Sequence, residues 1–180
     1  MIVIVGKTCS GKSTVADLLD EKYGIRRIRT YTTRPRREGE KGEYHFISGE
    51  EFDKLKHEGF FFETTQYSVA DGSTWRYGTS KSSFCNDCCI IMNPAGVKNL
   101  KHMYNNSDIN LTVVYLNVTD GVIWNRLRSR GDSSDEATRR IEADRKDFAD
   151  IEEFYDYAIT TDDLEPEAVA TLISIIYLME

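Results

Sequence analysis

Eight consecutive residues, Gly6-Lys7-Thr8-Cys9-Ser10-Gly11-Lys12-Ser13, fit the pattern G-x-x-x-x-G-K-[ST] without a gap. Their types suit the holding of phosphate. Gly6 and Gly11 let a backbone wrap closely around phosphate oxygens and take dihedrals that a side chain resists. Successive N–H groups and the start of a following helix then face the anion. Lys12 brings its charge to the β- and γ-phosphates of a nucleotide, and Ser13 offers a hydroxyl to Mg²⁺. With Thr14, the run makes up the expected ATP-binding stretch. A chance glycine turn is the competing reading, but an apolar run precedes the motif and helical spacing follows it. The motif identifies phosphate binding and leaves the acceptor open.

Arginines gather at Arg26, Arg27, Arg29, Arg34, Arg36 and Arg37, and again from Arg126 to Arg145, in a chain whose net charge is −7. Basic clusters on an acidic background point to focused anion sites, although many charge runs are only solvated surface. The acidic balance argues against general nucleic-acid binding. A hydrophobic content of 40% and a charged content of 29% are ordinary for a folded soluble chain. No apolar run approaches the ~20 residues that cross a bilayer. The apolar start, Ile2 to Val5, is too short for a signal peptide and lacks a basic leader, so a cytoplasmic location is expected. Cys85, Cys88 and Cys89 offer three of the four ligands a zinc site wants, and two of them are adjacent. Reduced, partly buried thiols are the better expectation for these and for Cys9.

The elements that must position these residues follow from periodicity. Met1–Val5 reads as a buried strand, Cys88–Met92 and Leu111–Val118 as apolar strands, and Tyr157–Thr160 as a last strand. Thr14–Tyr23, Gly96–Tyr104, a helix from Thr119 or Asp120 to Arg130, and Pro166–Leu178 read as helices between them. Ser134 opens a long polar helix expected to reach about Phe154. This alternation implies an α/β fold with a parallel sheet covered on both faces. From Tyr31 to Tyr77 the rhythm breaks into short strands: Tyr44–Ile47, Phe60–Thr64 and a hairpin marked by Asp71-Gly72. Among them lies a helix from Ser48, with Glu51 completing a capping box, to about His57. Ser80–Cys85 reads as a short helix. This stretch has the look of an inserted antiparallel lobe.

From Thr32 onward the chain resembles the guanylate kinase family over nearly its whole length. The likeness rests on Thr32-Thr33-Arg34 with Arg37, Gly39, Glu40 and Tyr44-His45-Phe46, on Phe61-Phe62-Glu63, and on Tyr77-Gly78-Thr79-Ser80. It continues through Arg126-Leu127-Arg128-Ser129-Arg130-Gly131 with Arg139-Arg140, and Thr161-Asp162-Asp163-Leu164. The resemblance implies a three-layer P-loop kinase fold with a parallel sheet. Its core would be 1–30, 81–125 and 147–180, its acceptor-binding lobe about 31–80, and its helical lid about 126–146. It further implies that Arg34, Arg37, Tyr44 and Tyr77 hold the acceptor's phosphate, with Thr30 also binding the acceptor. Glu63 and Thr79 would lie at its base, and Asn93, also on the acceptor side, could hydrogen-bond a base or a metal-bound water. Lys12, Arg34, Arg130 and Arg140 would stabilise the transferring phosphoryl group. Arginine forks and tyrosine hydroxyls suit phosphate, and a carboxylate can accept from both N1–H and the 2-amino group of guanine, donors that adenine lacks on that edge. Taken alone, Tyr44 and Tyr77 read as sheet aromatics and Glu63 as a solvent-facing strand residue.

The implied activity is phosphorylation of a nucleoside monophosphate, GMP or dGMP, by Mg²⁺-ATP, in a monomer or homodimer that needs neither nucleic acid nor membrane. The family's Asp-x-Asp-x-x-Gly segment is replaced by Ile91-Met92-Asn93-Pro94-Ala95-Gly96, and Thr161 stands where the family has asparagine. Two other readings therefore stay open. One is a kinase for a phosphorylated sugar such as ribose 1,5-bisphosphate. The other is a non-catalytic guanylate-kinase-like interaction module, which the intact Lys12-Ser13 pair disfavours.

Overall fold

In the run Ile2–Gly6 (β1), which pairs with a strand on each side, every residue is buried. A strand with no polar alternation needs cover on both faces, which is how parallel sheets are built. The computed structural model describes residues 1–36, 42, 44–68, 72–104 and 109–180. They form two compact units, Met1–Arg27 with Asn86–Glu180, and Ile28–Cys85.

In the first unit, β1 leads through the glycine-containing loop into Lys12–Tyr23 (α1), then Arg26–Arg27 (β2). After the second unit the chain returns as Cys88–Met92 (β7), Pro94–Tyr104 (α3), Thr112–Asn117 (β8), Asp120–Ser129 (α4), Ser134–Asp147 (α5), Tyr157–Thr160 (β9) and Pro166–Met179 (α6). The sheet runs β2-β7-β1-β8-β9, and every pairing in it is parallel. Ile2 and Ile4 point into a core shared with Val15, Leu19, Ile25, Val169 and Ile173, which puts α1 and α6 on one face. Val3 and Val5 alternate to the opposite face and are also fully buried, and α3 lies against β1 and β7. Because β1 has β7 on one side and β8 on the other, the direction of strand order reverses at its carboxyl end. Open α/β sheets bind ligands at such a point.

The second unit contains Tyr31–Thr32 (β3), His45–Phe46 (β4), Gly49–His57 (α2), Phe61–Ser68 (β5) and Thr74–Ser80 (β6) in a sheet ordered β4-β3-β6-β5. The expected antiparallel lobe is in fact mixed, because β3 and β4 pair in parallel. Ser48 accepts from the Glu51 N–H at 3.1 Å, the cap its spacing predicts. Asp71 of the hairpin signal lies outside the described residues; the hairpin is present as the β5–β6 pairing, from Ser68↔Thr74 inward. Lys81–Ser83 is a single 3₁₀ turn.

One helix boundary differs materially from expectation. The polar helix from Ser134 stops at Asp147 rather than near Phe154. Phe148 leaves helical geometry, its ring stacks on Tyr115 at 5.9 Å, and Ile151 turns inward to be 5% exposed. The stacking of Phe148 and the burial of Ile151 override a continuing polar helix. All four cysteines are free thiols; Cys9, Cys88 and Cys89 are buried and Cys85 partly so. Burial pushes the Cys89 thiol up to about 12.

Candidate active site

The loop between β1 and α1 is built around its glycines. A Cβ on Gly6 would lie 2.5 Å from Ser10 Oγ and 2.8 Å from the Leu116 carbonyl oxygen, so no larger residue fits. Cys9 at φ 58° and Gly11 at φ 89° both take the left-handed conformation, and such turns collect successive N–H groups into an anion-binding concavity. Lys12 curls back over the loop. Its ammonium donates to the carbonyls of Gly6 and Lys7, both at 2.7 Å, and to Ser10 Oγ at 3.3 Å. Burial lowers its pKa to about 8, although the Asp144 carboxylate favours the charged form. Ser13 and Thr14, in the first turn of α1, are exposed.

Three residues outside the loop tie it to the rest of the unit. Arg126 on α4 donates to the Cys9 carbonyl at 2.8 Å and to the Thr161 carbonyl at 3.3 Å. Asp144 Oδ2 on α5 accepts from the Thr8 N–H at 2.7 Å. Asp120, first residue of α4, takes Lys7 Nζ at 3.3 Å and the Arg145 guanidinium at 2.8 Å. Nothing local in the sequence marks these contacts, since Thr8 and Asp144 lie 136 positions apart.

Beside the loop opens a cavity of about 320 Å³ lined by Cys9, Ser10, Gly11, Arg126, Arg130 and the segment 161–166, among others. It thus adjoins both the phosphate loop and the late turn that begins at Thr161. The Thr161 hydroxyl donates to the Asn117 carbonyl at 3.2 Å. Asp162 Oδ1 accepts from the Thr119 N–H at 2.9 Å. Arg130 lines this cavity, whereas Arg140 is paired within its own helix region, to Glu136 at 2.7 Å and to Asp132 at 3.3 Å. Asn93 Oδ1 accepts from the Gly96 N–H at 2.7 Å and so caps the start of α3.

In the second unit Arg34 is 5% exposed and set among aromatic rings. Its guanidinium carbon lies 5.4 Å from the Tyr44 centroid, 5.5 Å from Phe46 and 6.0 Å from Trp75. The Arg34 N–H is held by Thr32 Oγ1 at 3.1 Å. Tyr44 and Tyr77 pack edge to face at 5.9 Å. Burial raises the Tyr77 phenol above its ordinary value, though Arg34 opposes the shift. Arg34, Tyr44 and Tyr77, quoted from three segments of sequence, are thus one cluster. Trp75 joins it without having been singled out. Thr30 supplies its carbonyl to the His45 N–H at 2.9 Å. Glu63 pairs across the sheet with Thr79, just after a bulge in β5. Arg37 lies outside the described residues.

Comparison with known proteins brings up guanylate kinases both by sequence and by structure. The family model for guanylate kinase matches residues 1–177. A guanylate kinase from Symbiobacterium thermophilum is 32% identical, over 98% of this chain and 83% of that protein. One from Rhodopseudomonas palustris is 28% identical, over 91% and 76% respectively. The crystal structure of guanylate kinase from Anaplasma phagocytophilum superposes with a TM-score of 0.69 at 24% identity, covering 99% of this chain and 84% of that one.

Proposed function

The chain belongs to the guanylate kinase family, and we infer that it transfers the γ-phosphoryl group of ATP to GMP, giving ADP and GDP. The observation that carries this is the intact loop Gly6–Ser13, with Lys12 folded over it, in a chain matched to that family over residues 1–177.

ATP binds with its phosphates on the loop from Gly6 to Thr14 and its adenosine directed to the adjoining cavity. Lys12 offsets charge on the β- and γ-phosphates. Magnesium arriving with ATP fits a site of this kind, because the exposed Ser13 hydroxyl is one oxygen donor and the phosphates supply others. Bound there, the ion would neutralise phosphate charge. In the other unit, Arg34, Arg37, Tyr44 and Tyr77 hold the acceptor phosphate, Thr30 also binds the acceptor, and Glu63 with Thr79 reads guanine. Asn93, a helix cap that adds no charge, contributes at the acceptor side.

An acceptor phosphate oxygen, already anionic at neutral pH, attacks the γ-phosphorus. The bond to the β–γ bridging oxygen breaks and ADP leaves, so no general base is required. Arg130 and Arg140, from a lid spanning about residues 126–146, stabilise charge spread over the equatorial oxygens. For Arg140 this means exchanging its carboxylate partners for phosphate. A free nucleotide pair as substrates supports a cytoplasmic role in purine nucleotide metabolism, in a monomer or homodimer, with no nucleic acid involved.

The test is ADP release from Mg²⁺-ATP with GMP, dGMP, AMP, UMP, CMP and ribose 1,5-bisphosphate in parallel. A response to GMP and dGMP alone is expected. A response only to ribose 1,5-bisphosphate would replace the acceptor, and ATP binding with no turnover on any acceptor would return the chain to a binding role.

A further inference from the structure

One partner of the phosphate loop is itself an anion, and phosphoryl transfer as described has no use for it. Asp144 sits in the third turn of α5 and lays Oδ2 against the Thr8 N–H at 2.7 Å. Thr8 is in the part of the loop that leads into the left-handed residues Cys9 and Gly11. The same carboxylate lies in the field of Lys12 and Lys7, and its charge is the largest that favours the ammonium form of Lys12. Burial pushes the Asp144 carboxyl above its ordinary value, and the loop's amide and ammonium groups pull it back. Its neighbour Arg145 grips Asp120, which also holds Lys7. Two consecutive residues of α5 are therefore fastened to the loop, one directly and one through Asp120.

A carboxylate oxygen on a backbone N–H, facing a lysine, is the arrangement that a phosphate oxygen takes in such a loop. We propose that Asp144 is an internal stand-in for a donor phosphate: it latches α5 to the loop through Thr8, and ATP binds by displacing it. This rests on the reading that the loop holds ATP. The exchange is favourable because a polyphosphate brings more charge and more acceptor oxygens than one carboxylate, so loop donors given up by Asp144 are re-satisfied. The latch lowers apparent ATP affinity by the fraction of molecules in which it is closed, and it couples donor occupancy to release of α5, which carries Arg140.

The experiment is calorimetric titration of wild type, Asp144→Asn and Asp144→Ala with a non-hydrolysable ATP analogue and, separately, with GMP. Asparagine keeps the shape and an acceptor oxygen but not the charge, so it remains informative even where the alanine variant folds poorly. Both substitutions are expected to tighten binding of the ATP analogue about three- to tenfold, the range for a latch closed in most molecules, with GMP affinity unchanged. Equal or weaker binding of the analogue by Asp144→Asn would overturn the proposal and leave Asp144 as a structural tie for α5. GMP-dependent ADP release by the wild type separates the two readings. Tighter binding without that turnover keeps the latch and removes the acceptor, whereas normal turnover with unchanged affinity removes only the latch.

Discussion

Glu63 on β5 and Thr79 on β6 are cross-strand partners, immediately beyond the bulge that breaks the register after Phe61. Residues directly opposite on an antiparallel pair have Cβ atoms only ~5 Å apart. A carboxylate and a hydroxyl at that spacing can serve one planar base edge together. Bulges re-aim side chains at the point where pairing resumes, which gives the irregularity a use. Replacing Glu63 by glutamine puts an amide donor where guanine already presents donors. Glu63→Gln is expected to lower kcat/KM for GMP by about ten- to a hundredfold, the scale of one lost charge-assisted hydrogen bond. ATP affinity should stay unchanged. Steady-state kinetics with GMP and AMP would show it, and an unaltered GMP-to-AMP ratio would remove Glu63 from base recognition.

Arg34 offers a second test, because its surroundings admit only one kind of cation. Its guanidinium is almost fully buried among Tyr44, Phe46 and Trp75. A flat, weakly hydrated ion stacks there, and a compact ammonium does not. Arg34→Lys keeps the charge but loses the fork and the stacking. We expect KM for GMP to rise about ten- to a hundredfold, with no change in binding of the ATP analogue to the other unit. A lysine variant with normal KM would show that Arg34 is a structural residue of the aromatic cluster.

The phosphate loop was legible because its chemistry is contiguous: eight residues carry the glycines, the lysine and the hydroxyl in order. The strands β1, β7 and β8 were legible because each is a short apolar run. The aromatic surround of Arg34 was only partly so, since Tyr44 and Phe46 come from the segment of β4 and Trp75 and Tyr77 from β6, and nothing local joins the two. The far end of α5 was misjudged because its residues are polar through Asp147, and what stops it is Phe148 stacking on Tyr115, a contact from another strand. The contacts that Arg126, Asp120 and Asp144 make with the phosphate loop could not have been read from the sequence. Their partners are Cys9, Lys7 and Thr8, each more than a hundred positions away.

Lys12 separates catalysis from folding. Its ammonium spends its three donors on Gly6, Lys7 and Ser10, yet burial depresses its pKa to about 8, so the charge is held there against desolvation. Lys12→Met removes both the loop bonds and that penalty, which oppose each other in stability. Turnover should fall by about 10²- to 10³-fold, the cost of deleting one group that stabilises developing charge, while the melting temperature moves by no more than a few degrees. Near-normal turnover would remove Lys12 from the mechanism.

The paired arginines of α5 predict a signature at acid pH. Glu136 receives Arg139 at 2.7 Å and Arg140 at 2.7 Å. Hydrogen bonds from Arg139, then Arg140, hold its carboxyl down to about 2 from an ordinary 4.5. The folded value lies below the unfolded one, so the unfolded state binds the proton more readily. The pairing then stabilises the fold in full above pH 4.5 and is lost as pH falls towards 2. Helical pairs of this exposure contribute about 0.3–0.5 kcal/mol each, so Glu136→Gln should lower stability at pH 7 by less than about 1 kcal/mol. It should also flatten the decline between pH 4.5 and 2, as followed by urea unfolding at a series of pH values. The same substitution frees Arg140 from one of its two carboxylates. If Arg140 must leave Glu136 to reach the transferring phosphoryl group, Glu136→Gln raises kcat while it lowers stability. A variant that loses both stability and kcat would mean that Glu136 positions Arg140 for transfer instead of restraining it.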